Sequence, residues 1–132
     1  MRKRLMRASL VLMALCIYLQ WGRGVSVRNT ISSSWDGKRT EYMTIVANKL
    51  YIGDKEAYAR KMIETCINNE FRDVRFSYDM GYPAEITMDI YTNETARRLG
   101  IRCCEVRYAQ AEEDRYRYNV KDDRERFVMT VK

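Results

Sequence analysis

The sequence predicts an α+β fold: one main helix packed on an antiparallel meander of about five strands in two layers, preceded by an apolar N-terminal helix. Three observations predict it. Residues 55 to 68 carry apolar side chains at helical spacing. From residue 74 onward, apolar and polar residues alternate in runs separated by turn residues. Residues 8 to 22 hold no charge, directly after the cations Arg2, Lys3, Arg4 and Arg7.

The N-terminal segment comes first. A basic start, an apolar stretch and then small residues is the layout of a secretory signal peptide. Gly22 and Gly24 suit the −3 and −1 positions of a cut after Gly24. The cations stay on the cytoplasmic side while the apolar stretch enters the bilayer. Arg23 and Trp21 fit such a cut poorly, so a short uncleaved anchor is the alternative. A third reading makes Cys16 a lipidated residue, although Leu15 before it is larger than that peptidase prefers. Either main reading puts the rest of the chain outside the cytoplasmic membrane, secreted or anchored there. The layout suggests a bacterial export route.

Residues 25 to 40 are polar and serine-rich and read as a flexible linker, with Trp35 as a partly exposed aromatic. One domain is expected over residues 41 to 132, a length that buries about 60–65% of its unfolded surface. Residues 41 to 52 are rich in β-formers, with Asn48-Lys49 as a bend. Asp54 is a good helix N-cap. The helix follows: Tyr58, Met62 and Cys66, beside Ala59, Ile63 and Ile67, form one apolar stripe, and Asn68-Asn69 offer a left-handed stop.

Strand patterns then dominate. Val74, Phe76 and Tyr78 alternate with polar residues, Met80 to Pro83 make a turn, and Ala84, Ile86, Met88 and Ile90 alternate again. This predicts a hairpin with one buried and one wet face. Thr92 or Asn93 caps a short helical turn ended by Gly100. Next comes a strand over about 102 to 110 with Cys104, Val106 and Tyr108 inward and Cys103 outward. Tyr116, Tyr118 and Val120 alternate in another strand, and Phe127 to Val131 close the chain. One helix ahead of a curled meander resembles a cystatin-like layout, by analogy of architecture only.

Charge and composition bound the chemistry. The chain of 132 residues has 24 Lys+Arg against 18 Asp+Glu, a net of +6, and no histidine. Residues 1 to 24 hold five cations and no acid, so the remainder has 19 Lys+Arg against 18 Asp+Glu. The basic character belongs to the N-terminal segment and gives no reason to expect a nucleic-acid partner. The motif Arg115-Tyr116-Arg117-Tyr118 interleaves cations and aromatics, but in a strand the two types go to opposite faces. Without histidine there is no His-based triad, His general base or His metal ligand. No phosphate-binding glycine loop occurs, and no cofactor or metal is expected.

Past residue 24 three cysteines remain: Cys66, Cys103 and Cys104. Cys66 and Cys104 fall on apolar faces that meet. A disulfide between them would close a loop of about 39 residues, worth ~3–4 kcal/mol in a chain-entropy account. The alternative is two small buried hydrophobes.

Two functional classes fit. The first is an exported, non-enzymatic binding or accessory domain. It would use the outer sheet face for a protein partner, through Arg75, Glu85, Asp89, Tyr91, Arg107, Arg115 and Arg117, with the membrane as a partner of any uncleaved N-terminal segment. The second is a small extracytoplasmic enzyme in which Glu85 and Asp89, two pleats apart on one face, act as an acid pair. Interleaved opposite charges on a sheet more often make cross-strand ion pairs, which favours the first class. A third option is a membrane-anchored subunit of a larger complex.

Overall fold

The structure, a computed structural model, describes residues 1–35, 38–75, 82–110, 120–121 and 123–132, without the side chains of Trp35 and Lys38. Helix α1 (Arg2–Ile17) runs on into a wider π-type turn over Tyr18–Gly22. Strands β1 (Ser26–Trp35) and β2 (Lys38–Val46) follow, then α2 (Lys55–Ile67), β3 (Glu85–Tyr91), the short α3 (Glu94–Arg98), β4 (Cys104–Gln110) and β5 (Phe127–Val131). The strands form one open sheet in the order β1-β2-β3-β4-β5. The chain is therefore α+β with a five-stranded, mostly antiparallel sheet.

Two expectations need correction. The segment read as a flexible linker is largely strand: β1 pairs antiparallel with β2 from Ser26↔Val46 to Trp35↔Lys38. Its serines hide the pattern because β1 is an edge strand, where one side of the backbone and much of the surface stay wet. Val27 still packs on the core, and Ser32 faces inward to meet Glu41.

The second correction concerns the meander. Strands β2 and β3 are parallel, from Thr40↔Glu85 to Val46↔Tyr91. The reason is the helix between them, since a strand, a crossover helix and an adjacent strand give a parallel pair. The neighbours of β3 are β2 and β4, where a hairpin partner at 74–78 was expected. Residues 74 and 75 are irregular, and 76–81 lie outside the described residues, as does most of the strand expected over 116–120. The sheet thus departs from the cystatin-like order by a hairpin strand ahead of β2 and by the parallel pair.

The rest follows the sequence closely. Asp54 caps α2 by accepting from the Ala57 N–H at 2.9 Å. Asn69, at φ 56°, takes the left-handed turn after α2. Along α2, Ala59, Met62, Ile63, Cys66 and Ile67 are buried. They lie against the inner face of the sheet, where Met43, Ile45, Ile86, Met88, Ile90 and Val106 are fully enclosed. Strand β3 alternates strictly, with its even-numbered residues inside. Cys104 is buried, as the counting of faces predicts, whereas Cys103, expected outward, lies just ahead of β4 and packs half-buried against the core. Asn93 caps α3 through Ala96, and Gly100 at φ +72° ends it in a conformation that side chains disfavour.

Candidate functional site

The outer sheet face is built from the residues that alternate with the core. Paired residues share a face, so Tyr42 of β2, Thr87 of β3 and Arg107 of β4 lie side by side in one row. The next row places Asp89 directly opposite Glu105. Two carboxylates in that position repel each other. Arg102, just ahead of β4, resolves the conflict: its guanidinium reaches Asp89 Oδ1 at 2.9 Å and Glu105 Oε2 at 3.2 Å. Tyr42 donates its phenolic O–H to Asp89 from the other side. That bond, followed by partial burial and the Asp89 charge, pushes the Tyr42 phenol up to about 12. One pleat row further, Arg107 donates to Glu85 at 2.8 Å across the diagonal between β3 and β4.

The seven sequence-predicted site residues divide as follows. Glu85, Asp89 and Arg107 share the outer face as expected, and each is ion-paired. Tyr91 ends β3 on the same face, half-buried. Arg75 does not join them. It lies in the irregular stretch after α2 and donates to the Asn69 carbonyl at 2.7 Å. Arg115 and Arg117 lie outside the described residues. Glu85 and Asp89, the expected acid pair, both have an arginine partner. Tyr42 and Arg102 were missed. Tyr42 was legible as the residue of opposite phase between Glu41 and Met43. Arg102 lies before the strand proper, and no periodicity marks it.

A second polar cluster faces the other way. Glu41 has no exposed surface and shares the inner face with Met43 and Ile45. Ser32 on β1 donates to it at 2.6 Å, and Arg39 reaches its other oxygen with Nε at 2.8 Å and Nη2 at 2.7 Å. A buried carboxylate survives only with such partners. Glu41 lies directly beside the buried Ile86, its paired neighbour on β3.

The cysteines form a third feature. All four are free thiols. Cys66 and Cys104 belong to the same buried core, where they pack as small hydrophobes. Burial, with the Cys103 thiol beside it, pushes the Cys104 thiol up to about 12. A thiol so far above neutrality is a poor nucleophile and a poor metal ligand. Tyr58 of α2 abuts the same thiols. Its O–H is enclosed without a partner, and burial drives its pKa upward. Among the described residues, no three cysteine or acidic side chains come together as a metal site.

A groove of about 450 Å³ runs between α2 and β5, floored by Ile63, Tyr108 and Phe127. The Tyr108 and Phe127 rings stack at 5.2 Å. Glu64 is the one acid on its wall, beside Arg60 and Arg124, so no paired carboxylates face this space among the described residues. Set against protein-family models, curated proteins and solved structures, the chain matches none.

Proposed function

We propose that the chain is an exported, non-enzymatic binding or accessory domain, held on or released outside the cytoplasmic membrane, with the outer sheet face as its contact surface for a protein partner. The observation that carries this reading is the charge-matched face itself. Arg102 bridges Asp89 and Glu105, and Arg107 holds Glu85, while α2 covers the opposite face. Fixed arrays of this kind give specificity and orientation to a partner of complementary charge. The same pairing favours a contact role for Glu85 and Asp89 over acid–base work. The N-terminal apolar helix is compatible with a signal or an anchor.

The test exchanges a pair without breaking it. Glu85→Arg combined with Arg107→Glu keeps an ion pair between β3 and β4 but inverts the charges offered outward. The partner is identified by co-purification from cells expressing the tagged chain, alongside fractionation for its location. The double exchange is expected to abolish co-purification while thermal unfolding is nearly unchanged. Undiminished binding by the exchanged chain would remove the outer face from consideration.

A further inference from the structure

The exposed apolar residues of the domain are not scattered. Outside α1 and its π turn, the large apolar side chains exposed among the described residues are Ile31, Leu50, Tyr51, Leu99, Ile101 and Val128. Four of these six belong to one end of the sheet. There β1 begins, β2 and β3 end, and β4 begins, as the pairings Ser26↔Val46, Val46↔Tyr91 and Ile90↔Cys104 show. Leu50 and Tyr51 follow β2, and Leu99 and Ile101 lie between α3 and β4. The two loops are tied together: the Lys49 N–H donates to the Thr92 carbonyl at 2.8 Å, and Asn93 donates to the Lys49 carbonyl at 3.3 Å.

The apolar N-terminal helix enters the domain at this same end. Gln20, in the π turn, grips the Leu50–Tyr51 backbone. Its side-chain oxygen accepts from the Leu50 and Tyr51 N–H groups at 2.9 and 3.0 Å, and its side-chain nitrogen donates to the Tyr51 carbonyl at 2.6 Å. Lys49 Nζ donates to the Gln20 carbonyl at 2.9 Å. Tyr18 and Trp21 flank Gln20, 56% and 70% exposed. Helix α1 itself buries no residue against the domain. An apolar helix without protein cover therefore leads directly into a rim of exposed Tyr, Trp, Leu and Ile. Aromatic rings and cation stems at such a junction suit the bilayer interface.

We infer that residues 1 to 24 remain on the chain and that this end of the sheet, through Leu50, Tyr51, Leu99 and Ile101, rests in the lipid interface from which α1 emerges. The inference rests on the export reading for its side of the membrane, not for the contact itself. Length supports it. The uncharged stretch, residues 8 to 22, rises only ~22 Å as a helix, short of the ~30 Å hydrocarbon core. A short span draws its flanking residues toward the bilayer, and here those flanks carry apolar tips able to follow. Arg98, largely exposed next to Leu99, can meet lipid phosphates.

The test uses the purified full chain in vesicles of phosphatidylcholine and phosphatidylglycerol with or without brominated acyl chains. Trp21→Phe and Trp35→Phe remove the native signal, and single tryptophans are introduced by Leu50→Trp, Leu99→Trp, Ile101→Trp, Ile31→Trp or Val128→Trp. All five positions are exposed, and circular dichroism checks that each chain is folded. Tryptophan at 50, 99 and 101 is expected to shift to the blue and lose emission to bromine, whereas tryptophan at 31 and 128 keeps its emission. Absence of quenching at 50, 99 and 101, or equal quenching at all five, would overturn the inference. So would N-terminal sequencing that finds Val25 as the first residue of the chain in cells, a result that leaves the export reading intact. A membrane-embedded chain whose domain faces the cytoplasm would do the reverse.

Discussion

Tyr42 shows how much one hydrogen bond on the outer face fixes. Its proton is held by Asp89, so the folded chain keeps it up to about 12 while the unfolded chain releases it near 10. A group that binds its proton more tightly when folded contributes stability fully below its unfolded pKa and loses it as pH rises through the folded one. Wild-type stability is therefore expected to fall between about pH 10 and about pH 12 partly through this residue, and Tyr42→Phe should flatten that part of the decline. Asp89→Asn should bring one phenolate step in the ultraviolet titration back toward ordinary tyrosine. A titration identical in wild type and Asp89→Asn would show that the bond is not formed. The thiols make a second residue-scale prediction. Cys66 and Cys104 are buried and Cys104 is held protonated, so a thiol reagent at neutral pH should modify Cys16 and Cys103 first and reach the other two only on unfolding. Mass mapping of the modified peptides checks the order. Cys104 inward was readable from the strand phase alone; Cys103 was not, because it precedes β4 and packs half-buried against the core. Glu41 was not: its neighbours Met43 and Ile45 define its phase, but a carboxylate in that phase argues against burial until Arg39 and Ser32 are placed beside it. Losing Arg39 leaves Glu41 enclosed with Ser32, so Arg39→Ala should cost about 3 kcal/mol in denaturant unfolding.

Elements with local causes were legible, and elements defined by distant partners were not. Helix α2 carries its own cap, stripe and stop within Asp54 to Asn69, and the structure uses all three. Asp54→Ala should lower unfolding free energy by about 1 kcal/mol, read from the urea midpoint, with Asp54→Asn keeping most of it. Strands β3, β4 and β5 are equally legible because each buries one face, and period-2 alternation reports burial. Strand β1 fails that test. Its sequence, Ser26 to Trp35, holds few apolar residues, and its order comes from pairing with β2 rather than from its own pattern. The parallel β2–β3 pair was missed for a related reason. Alternation says which residues face inward but nothing about strand direction; direction follows from the connection, and a helix of thirteen residues in that connection was the available signal. The outer face inherits this error: a meander would have put residues 74–78 beside β3, whereas the sheet puts Tyr42 there.

At the scale of the molecule, charge and hydrophobicity are both polarised along the chain. The first 24 residues hold five of the cations, and the rest is close to neutral with 19 Lys+Arg against 18 Asp+Glu. The N-terminal segment reads from sequence as an appendage joined through a loose spacer. The structure joins it firmly, through Gln20 on one side and β1 on the other. That changes what the junction does mechanically: a tether through a coil leaves a domain free to tumble, while a helix whose last turn bonds to a domain loop holds it close. Gln20 is the test of this coupling. It accepts from the Leu50 and Tyr51 amides, which are otherwise on the exposed 50–51 loop. Those amides should exchange slowly with solvent deuterium in the full chain, and Gln20→Ala should speed their exchange about tenfold or more, as local opening no longer breaks two bonds. Exchange in the core strands should stay as it was, since Met43, Ile45, Ile86 and Ile90 do not depend on Gln20. Equal protection of Leu50 and Tyr51 in both chains would mean that the helix and the domain move independently, and the apolar rim would then have no fixed relation to the membrane.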